Sequence, residues 1–180
     1  MITMTVTSAD RYQAKGYRIA RCWVAGLLLG FTGLCAWSEE LNLPAPGPRD
    51  TCPVCGMFVS RYPDWVATVL YKDGQAHHFD GAKDMFKYLL ELPKYAAGHT
   101  SADIAAVGVT EYYGLSRMDA RSAWYVVGSD VLGPMGHELV PLATREEAEE
   151  FQRDHHGQRI IRFKDVSLPL LLQIDQGRVE

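Results

Sequence analysis

Residues 65–92 read WVATVLYKDGQAHHFDGAKDMFKYLLEL, and the architecture of the first half of the chain follows from them. The first part, Trp65–Tyr71, is rich in β-branched and aromatic residues, and a similar run resumes at Gln75–Phe79. Asp73-Gly74 between two such runs is a strong signal for a β-hairpin. The sequence therefore predicts two antiparallel strands joined by a tight turn.

A helix and a third strand are predicted after the hairpin. Apolar residues recur at helical spacing from Asp80 to Leu92, where Asp80 can cap the helix and Pro93 can end it. Residues 104–113 are rich in β-branched and aromatic residues again, so they predict another strand. The first half thus has the order strand, strand, helix, strand.

The second half repeats this order. Residues 122–128 and 138–142 predict two strands, and residues 158–166 predict a third. Residues 144–155 begin with a threonine that a glutamate follows three residues later, a capping box that predicts a helix. We therefore expect an α+β fold of two tandem ββαβ units with antiparallel hairpins.

The boundaries of these units are expected at residues 52–115 and 116–180. Each unit alone is too small to bury a comfortable core. The two units are therefore expected to share one core or to pack against each other.

The N-terminal residues 1–38 are expected to direct export. An uncharged run of 16 residues, Cys22–Trp37, follows several basic residues. As a helix it would span about 24 Å, less than the roughly 30 Å of a bilayer core. This favours a signal peptide cleaved after Ser38, with an uncleaved N-terminal anchor or lipidation at Cys35 as alternatives. Residues 39–51 are proline-rich and predict an extended linker.

The charge of the chain argues against a nucleic-acid partner. The formal net charge is −4 at neutral pH, and the isoelectric point is near 5.9. Nucleic-acid binding needs a basic surface to contact phosphates, and the sequence shows no basic cluster that would supply one.

The sequence CPVCGM at residues 52–57 places two cysteines and a methionine within one short turn. Such a turn lets both sulfur atoms face one point, and thiolate with thioether is the ligand set that favours Cu(I). A disulfide or a redox pair is the alternative, whereas a structural zinc site would need further ligands. Once residues 1–38 are removed, Cys52 and Cys55 are the only cysteines, and a disulfide across so short a loop would stabilise little.

A second candidate segment is GPMGH at residues 133–137. The glycines leave the Met135 thioether approachable, and His137 carries an imidazole that can also bind copper. The alternative is that Met135 fills a gap in the hydrophobic core.

The motifs at Cys52–Val59 and Gly133–Leu142 resemble those of the NosL family. The similarity extends over roughly residues 51–166 and includes the Phe79-Asp80-Gly81 segment before the first helix. The resemblance implies a fold of two ββαβ domains, the same duplication that the strand and helix pattern predicts.

For function, the resemblance implies a periplasmic Cu(I) chaperone, usually a lipoprotein, rather than an enzyme. Such a protein supplies copper to the nitrous-oxide reductase apoprotein during denitrification, with the help of a membrane ABC transporter of the same system. The metal ligands that it implies are Cys52, Cys55, Met57 and Met135, with His137 beside the last. The alternative function is an exported CxxC thiol–disulfide oxidoreductase.

Overall fold

The structure, a computed structural model, describes residues 41–179 of the chain. The signal or anchor predicted for residues 1–38 lies outside the described residues. Among the helices that the structure describes, none is long and apolar enough to cross a membrane.

Four strands of the first half form one antiparallel sheet. They are β1 (Ala67–Tyr71), β2 (Ala76–Phe79), β3 (Ile104–Thr110) and β4 (Arg117–Asp119). Their order across the sheet is β2-β1-β3-β4. The predicted hairpin and third strand are confirmed. Strand β4 is absent from the sequence prediction; it lies beyond the expected boundary at residue 115 and yet pairs with β3.

Helix α1 (Ala82–Leu90) follows β2, and the short helix α2 (Leu92–Tyr95) follows α1. The predicted amphipathic helix is therefore confirmed, but its predicted cap is wrong. Gly81 is the N-cap residue, and glycine has no side chain that could cap the helix. The Asp80 carboxylate instead accepts a hydrogen bond from the Cys55 thiol, at 3.2 Å.

The second half is built around a three-stranded antiparallel sheet of order β8-β5-β9. Its elements in chain order are β5 (Trp124–Val127), β6 (Leu132–Gly133), β7 (Gly136–His137), β8 (Val140–Leu142), α3 (Arg145–Asp154), β9 (Arg159–Arg162) and α4 (Leu168–Asp175). The predicted capping box of α3 is present, with the Glu147 N–H donating to Thr144 Oγ1 at 3.1 Å. β1 lies between β2 and β3 in the first sheet, as β5 lies between β8 and β9 in the second. The predicted α+β class is confirmed.

Two elements of the second half differ from the sequence prediction. The predicted loop between β5 and β8 contains a two-stranded hairpin made of β6 and β7. Helix α4 follows the last predicted strand, and it buries Leu170, Leu171 and Ile174. The hairpin carries the candidate ligand Met135, and α4 packs on its strand β7.

One hydrophobic core joins the two sheets. Val69 of β1 and Val127 of β5 belong to the same cluster of buried residues. The rings of Phe86 on α1 and Tyr125 on β5 meet edge to face, with 5.3 Å between their centroids. A smaller cluster around Phe151 lies between α3 and the second sheet. The expectation of a core shared by the two units agrees with this packing.

The described part of the proline-rich segment lies against the first sheet. Leu43 is buried beside Gly108, where a side chain of even one carbon would collide with the Leu43 side chain. The Arg117 guanidinium donates hydrogen bonds to the carbonyl oxygens of Leu43 and Pro44, the latter at 2.7 Å. These contacts attach the segment to strands β3 and β4.

A buried glutamate connects the second unit to the start of α1. Glu138 is 3% exposed, and its Oε1 atom accepts hydrogen bonds from the backbone N–H groups of Lys83 at 2.6 Å and Leu139 at 2.9 Å. The first N–H groups of a helix have no partner within the helix. Glu138 therefore caps α1 from a distant part of the chain. Burial raises the pKa of Glu138 from its ordinary 4.5 to about 7.

We expect Glu138→Ala to lower the free energy of unfolding by about 2 kcal/mol or more, because two buried N–H groups lose their acceptor. Glu138→Gln keeps an Oε1 acceptor and should cost less than about 1 kcal/mol. Denaturant unfolding at neutral pH measures both values. The exposed Glu150→Ala is the control and should change stability by less than about 0.5 kcal/mol. Equal effects of the Ala and Gln variants would contradict the capping role.

Candidate metal centre

The segment around the two cysteines forms a tight turn closed by its own backbone. The Cys52 N–H donates to the Met57 carbonyl oxygen at 2.8 Å, and the Gly56 N–H donates to the Cys52 carbonyl oxygen at 2.9 Å. Gly56 has a φ of +78°, a backbone angle that residues other than glycine rarely adopt. Thr51 and Phe58 form a β-bridge across the base of the turn. This local geometry brings the two cysteines close together, as the sequence predicts.

Both thiols point at carboxylates at the start of α1. Cys52 Sγ donates to Asp84 Oδ2 at 3.4 Å, and Cys55 Sγ donates to Asp80 Oδ1 at 3.2 Å. Each of these four side chains offers a ligand atom, and the four atoms all lie within 4.8 Å of one another. Both cysteines are free thiols. The group can therefore offer two sulfur and two oxygen donors to one ion.

The four groups lie in a protected environment. Cys52, Asp80 and Asp84 are buried, and Cys55 is partly exposed, so the group is open to solvent on the Cys55 side. Asp80 Oδ2 is buried and has no hydrogen-bond partner among the described residues. A buried carboxylate oxygen without a partner is costly, and a bound cation would satisfy it.

The environment keeps both thiols protonated. Burial is the largest cause that raises the pKa of Cys52, and the Asp84 charge acts in the same direction. Burial raises the pKa of Cys55 to about 12, and its hydrogen bond to Asp80 contributes to the rise. A thiol with a raised pKa is a poor nucleophile in neutral solution. A metal that binds these sulfur atoms must displace protons from them.

Three further predicted ligands lie on two segments near this group. Met57 is half-buried at the end of the cysteine turn. Met135 and His137 lie on the β6–β7 hairpin, and their carbonyl oxygens accept hydrogen bonds from Lys83 Nζ at 3.0 and 2.6 Å. Lys83 precedes Asp84 on α1, so the hairpin and the cysteine turn meet the same end of this helix. The ligand roles of these three residues stay predictions.

The side chains of Met135 and His137 lie in different surroundings. Met135 is 45% exposed. The His137 ring lies against the backbone of Gly177 after α4, where a Cβ atom on Gly177 would come within 2.8 Å of His137 Nε2. Of these two side chains, Met135 is therefore the freer to reach a metal.

Sequence reasoning missed the two carboxylates of the group. The position of Asp80 before a predicted helix leads to its interpretation as a helix cap. Asp84 is a single acidic residue on an amphipathic helix, and nothing in the sequence around it indicates a metal ligand. The two residues flank the start of α1, four positions apart, and their carboxylates meet the two thiols there. That spacing, together with the cysteine turn, is the signal that could have paired them.

Comparison with known proteins supports a relationship to copper proteins. The NosL family model matches residues 45–171 of the chain. The chain is 29% identical over 152 residues to the copper-binding lipoprotein NosL of Stutzerimonas stutzeri, an alignment that covers 81% of this chain and 78% of that protein.

Two solved structures are similar to this one. The crystal structure of the copper chaperone NosL from Shewanella denitrificans aligns with a TM-score of 0.60 at 24% identity, over 71% of this chain and 97% of that chain. It shows the same fold. The solution structure of the apo-NosL protein from Achromobacter cycloclastes aligns with a TM-score of 0.41 at 23% identity, over 58% and 87% of the two chains.

We expect Asp80→Asn to lower the pKa of the Cys55 thiol, because the negatively charged acceptor of its hydrogen bond is removed. The pH dependence of alkylation of the metal-free protein, followed residue by residue by mass spectrometry, measures this value. Asp73→Asn, which removes an exposed carboxylate without a thiol contact, is the control. An unchanged alkylation profile in Asp80→Asn would contradict the proposed contact.

Proposed function

This chain belongs to the NosL family, and we propose that it is an exported metallochaperone for Cu(I) rather than an enzyme. The similarity to a copper-binding lipoprotein over most of both chains supports copper as the cargo. The donor set supports the monovalent ion, because soft thiolate and thioether ligands favour Cu(I) over harder cations.

The observation that carries this proposal is the pair of free thiols in a buried polar group that is open to solvent at Cys55. Each thiol already donates a hydrogen bond to a carboxylate oxygen: Cys52 to Asp84 and Cys55 to Asp80. That oxygen is the nearest acceptor for the proton when the sulfur binds the metal. The proton then passes to solvent, and copper binding is an exchange of a metal ion for protons.

Thioether ligands would complete the site. Met57 ends the cysteine turn and Met135 lies exposed on the neighbouring hairpin, and His137 is a third candidate. Neutral donors of this kind add affinity for Cu(I) without adding negative charge to the site. An exposed methionine can be displaced first by an incoming ligand, so copper passes to a partner by ligand exchange without release as a free ion.

The family supports further statements about partners and location. We propose that the chain delivers copper to the nitrous-oxide reductase apoprotein during denitrification, in cooperation with the membrane ABC transporter of the same system. We place it in the periplasm, where residues 1–38 direct its export or tether it to a membrane. The relative from Stutzerimonas stutzeri is named a lipoprotein, which supports a tether.

A thiol–disulfide oxidoreductase is the weaker candidate on two observations. The reactive cysteine of such an enzyme has a lowered pKa and lies at the start of a helix. Here burial raises the pKa of both thiols, and the turn is followed only by a short 3₁₀ segment, Val59–Arg61. Insulin reduction in the absence of copper would favour the oxidoreductase.

The copper site can be tested by titration of the reduced protein with Cu(I) against a chromophoric competitor. We expect Cys55→Ser to lower the affinity by about a hundredfold or more and Met57→Leu to lower it by about tenfold, because each variant removes a soft donor. Met118→Leu is the control, since Met118 lies on β4 outside the cysteine turn and the hairpin. Wild-type affinity in both Cys55→Ser and Met57→Leu would end the proposal.

The pH dependence of copper affinity shows how many thiols lose a proton when they bind the metal. Both thiols are protonated in neutral solution because their pKa values are raised, so each must lose a proton to bind. Protons compete with copper, and the affinity therefore falls as the pH falls. Between about pH 6 and 8 we expect a change of about a hundredfold per pH unit for two thiolates and about tenfold in Cys55→Ser. The same titration in buffers of different pH measures it, and a wild-type affinity independent of pH would contradict thiolate binding.

A further inference from the structure

Lys83 is a buried cation whose bonding capacity is fully used. The residue is 1% exposed, and its ammonium group contacts three oxygen atoms. Nζ donates to the carbonyl oxygens of Met135 at 3.0 Å and His137 at 2.6 Å, and it forms an ion pair with Asp175 Oδ1 at 3.0 Å. An ammonium group has three N–H donors, so each has one acceptor. A buried charge of this kind is tolerated only when it is paired and hydrogen-bonded.

One carbonyl oxygen belongs to Met135 in the turn of the β6–β7 hairpin, and the other belongs to His137 at the end of β7. The hairpin has only two residues in each strand. A short two-stranded hairpin is marginally stable by itself. The contacts of Lys83 with both carbonyl oxygens therefore set the place of the turn relative to α1.

The neighbouring residue of the same helix holds the cysteine turn. Asp84 accepts the hydrogen bond of the Cys52 thiol at 3.4 Å. Two consecutive residues of α1 thus contact the two segments that carry the candidate copper ligands. Lys83 does so through its side chain to the hairpin, and Asp84 does so through its side chain to the cysteine turn.

We propose that Lys83 is a positioning residue that holds the Met135 thioether ready for copper bound at the cysteine turn. This inference rests on the proposed function and adds to it a residue that need not touch the metal. A ligand held in place before binding loses less conformational freedom on binding, and the affinity for the metal is higher. Asp175 on α4 supplies the negative charge that lets Lys83 stay buried.

Lys87 offers a matched control one helical turn further along α1. Its Nζ atom also pairs with Asp175, at 2.9 Å to Oδ2. It forms ion pairs with the carboxylates of Asp175 and Asp84, whereas the hairpin carbonyl oxygens accept hydrogen bonds from Lys83. Changing Lys87 therefore disturbs the same ion pair without removing the hairpin contacts.

The test is a double-mutant cycle on Cu(I) affinity. Lys83→Leu and Lys87→Leu are each made alone and together with Met135→Leu; leucine introduces no new sulfur. We expect Lys83→Leu to weaken binding about tenfold, by as much as Met135→Leu does, and to weaken it no further once Met135 is gone. Lys87→Leu should stay within about twofold of the unaltered protein. An equal loss from Lys83→Leu with and without Met135, or no loss, would overturn the proposal.

A second measurement leaves Lys83 unaltered, in case Lys83→Leu does not fold. The ¹⁵N resonance of the Lys83 ammonium group is followed while Cu(I) is added to the unaltered protein and to Met135→Leu. We expect a shift in the first and none in the second. The same shift in both, or no shift, would overturn the proposal.

The failure of this inference can be told apart from the failure of the proposed function. If Cys55→Ser and Met57→Leu both bind copper as tightly as the unaltered protein, the copper site is elsewhere and both fail. If Cys55→Ser loses affinity while the Lys83 and Met135 effects are additive, the copper site stands and only the positioning role is refuted.

Discussion

The carboxylate of Glu138 accepts a hydrogen bond from the backbone N–H of Lys83, and this contact fixes the start of α1, where Asp80 and Asp84 meet the two thiols. The start of a helix needs acceptors that its own backbone does not supply. In this chain one comes from the second ββαβ unit, so the first turn of α1 is where the two units meet. Residue 81 must be glycine, because a Cβ atom at this position would collide with the Glu138 carboxylate. The cysteine turn and the β6–β7 hairpin are held at the same place, by Asp84 and Lys83.

This arrangement explains how the site can be both buried and exchangeable. Burial raises the pKa of both thiols, so the metal-free protein stores them in the neutral form. The neutral thiols donate hydrogen bonds to carboxylates, which limits the cost of burying four polar groups together. Cys55 is partly exposed, and Met135 is 45% exposed on the hairpin. Under the proposed function, a cargo ion would be exchanged at Cys55 without opening the core behind Cys52.

Local sequence signals predict much of this fold. Asp73-Gly74 predicts the β1–β2 hairpin, and Thr144 with Glu147 predicts the start of α3. Asp80 shows where local reasoning fails: it stands where a cap is common, yet a thiol 25 residues earlier in the chain takes its carboxylate. The contacts of Glu138 and Lys83 join residues more than 50 positions apart, and no local pattern encodes them. Helix α4 does carry local signals, since Ser167 and Pro169 are typical of a helix start and Gly177 of its end.

The contacts of Leu43 and Pro44 fix where the start of the described chain joins the first sheet. Because Leu43 and Pro44 are fastened to β3 and β4, a pull on the N-terminal side of the chain would be transmitted to the first sheet at that edge. Residues 43 and 44 therefore move together with the first sheet and add no free length to a tether that begins before them.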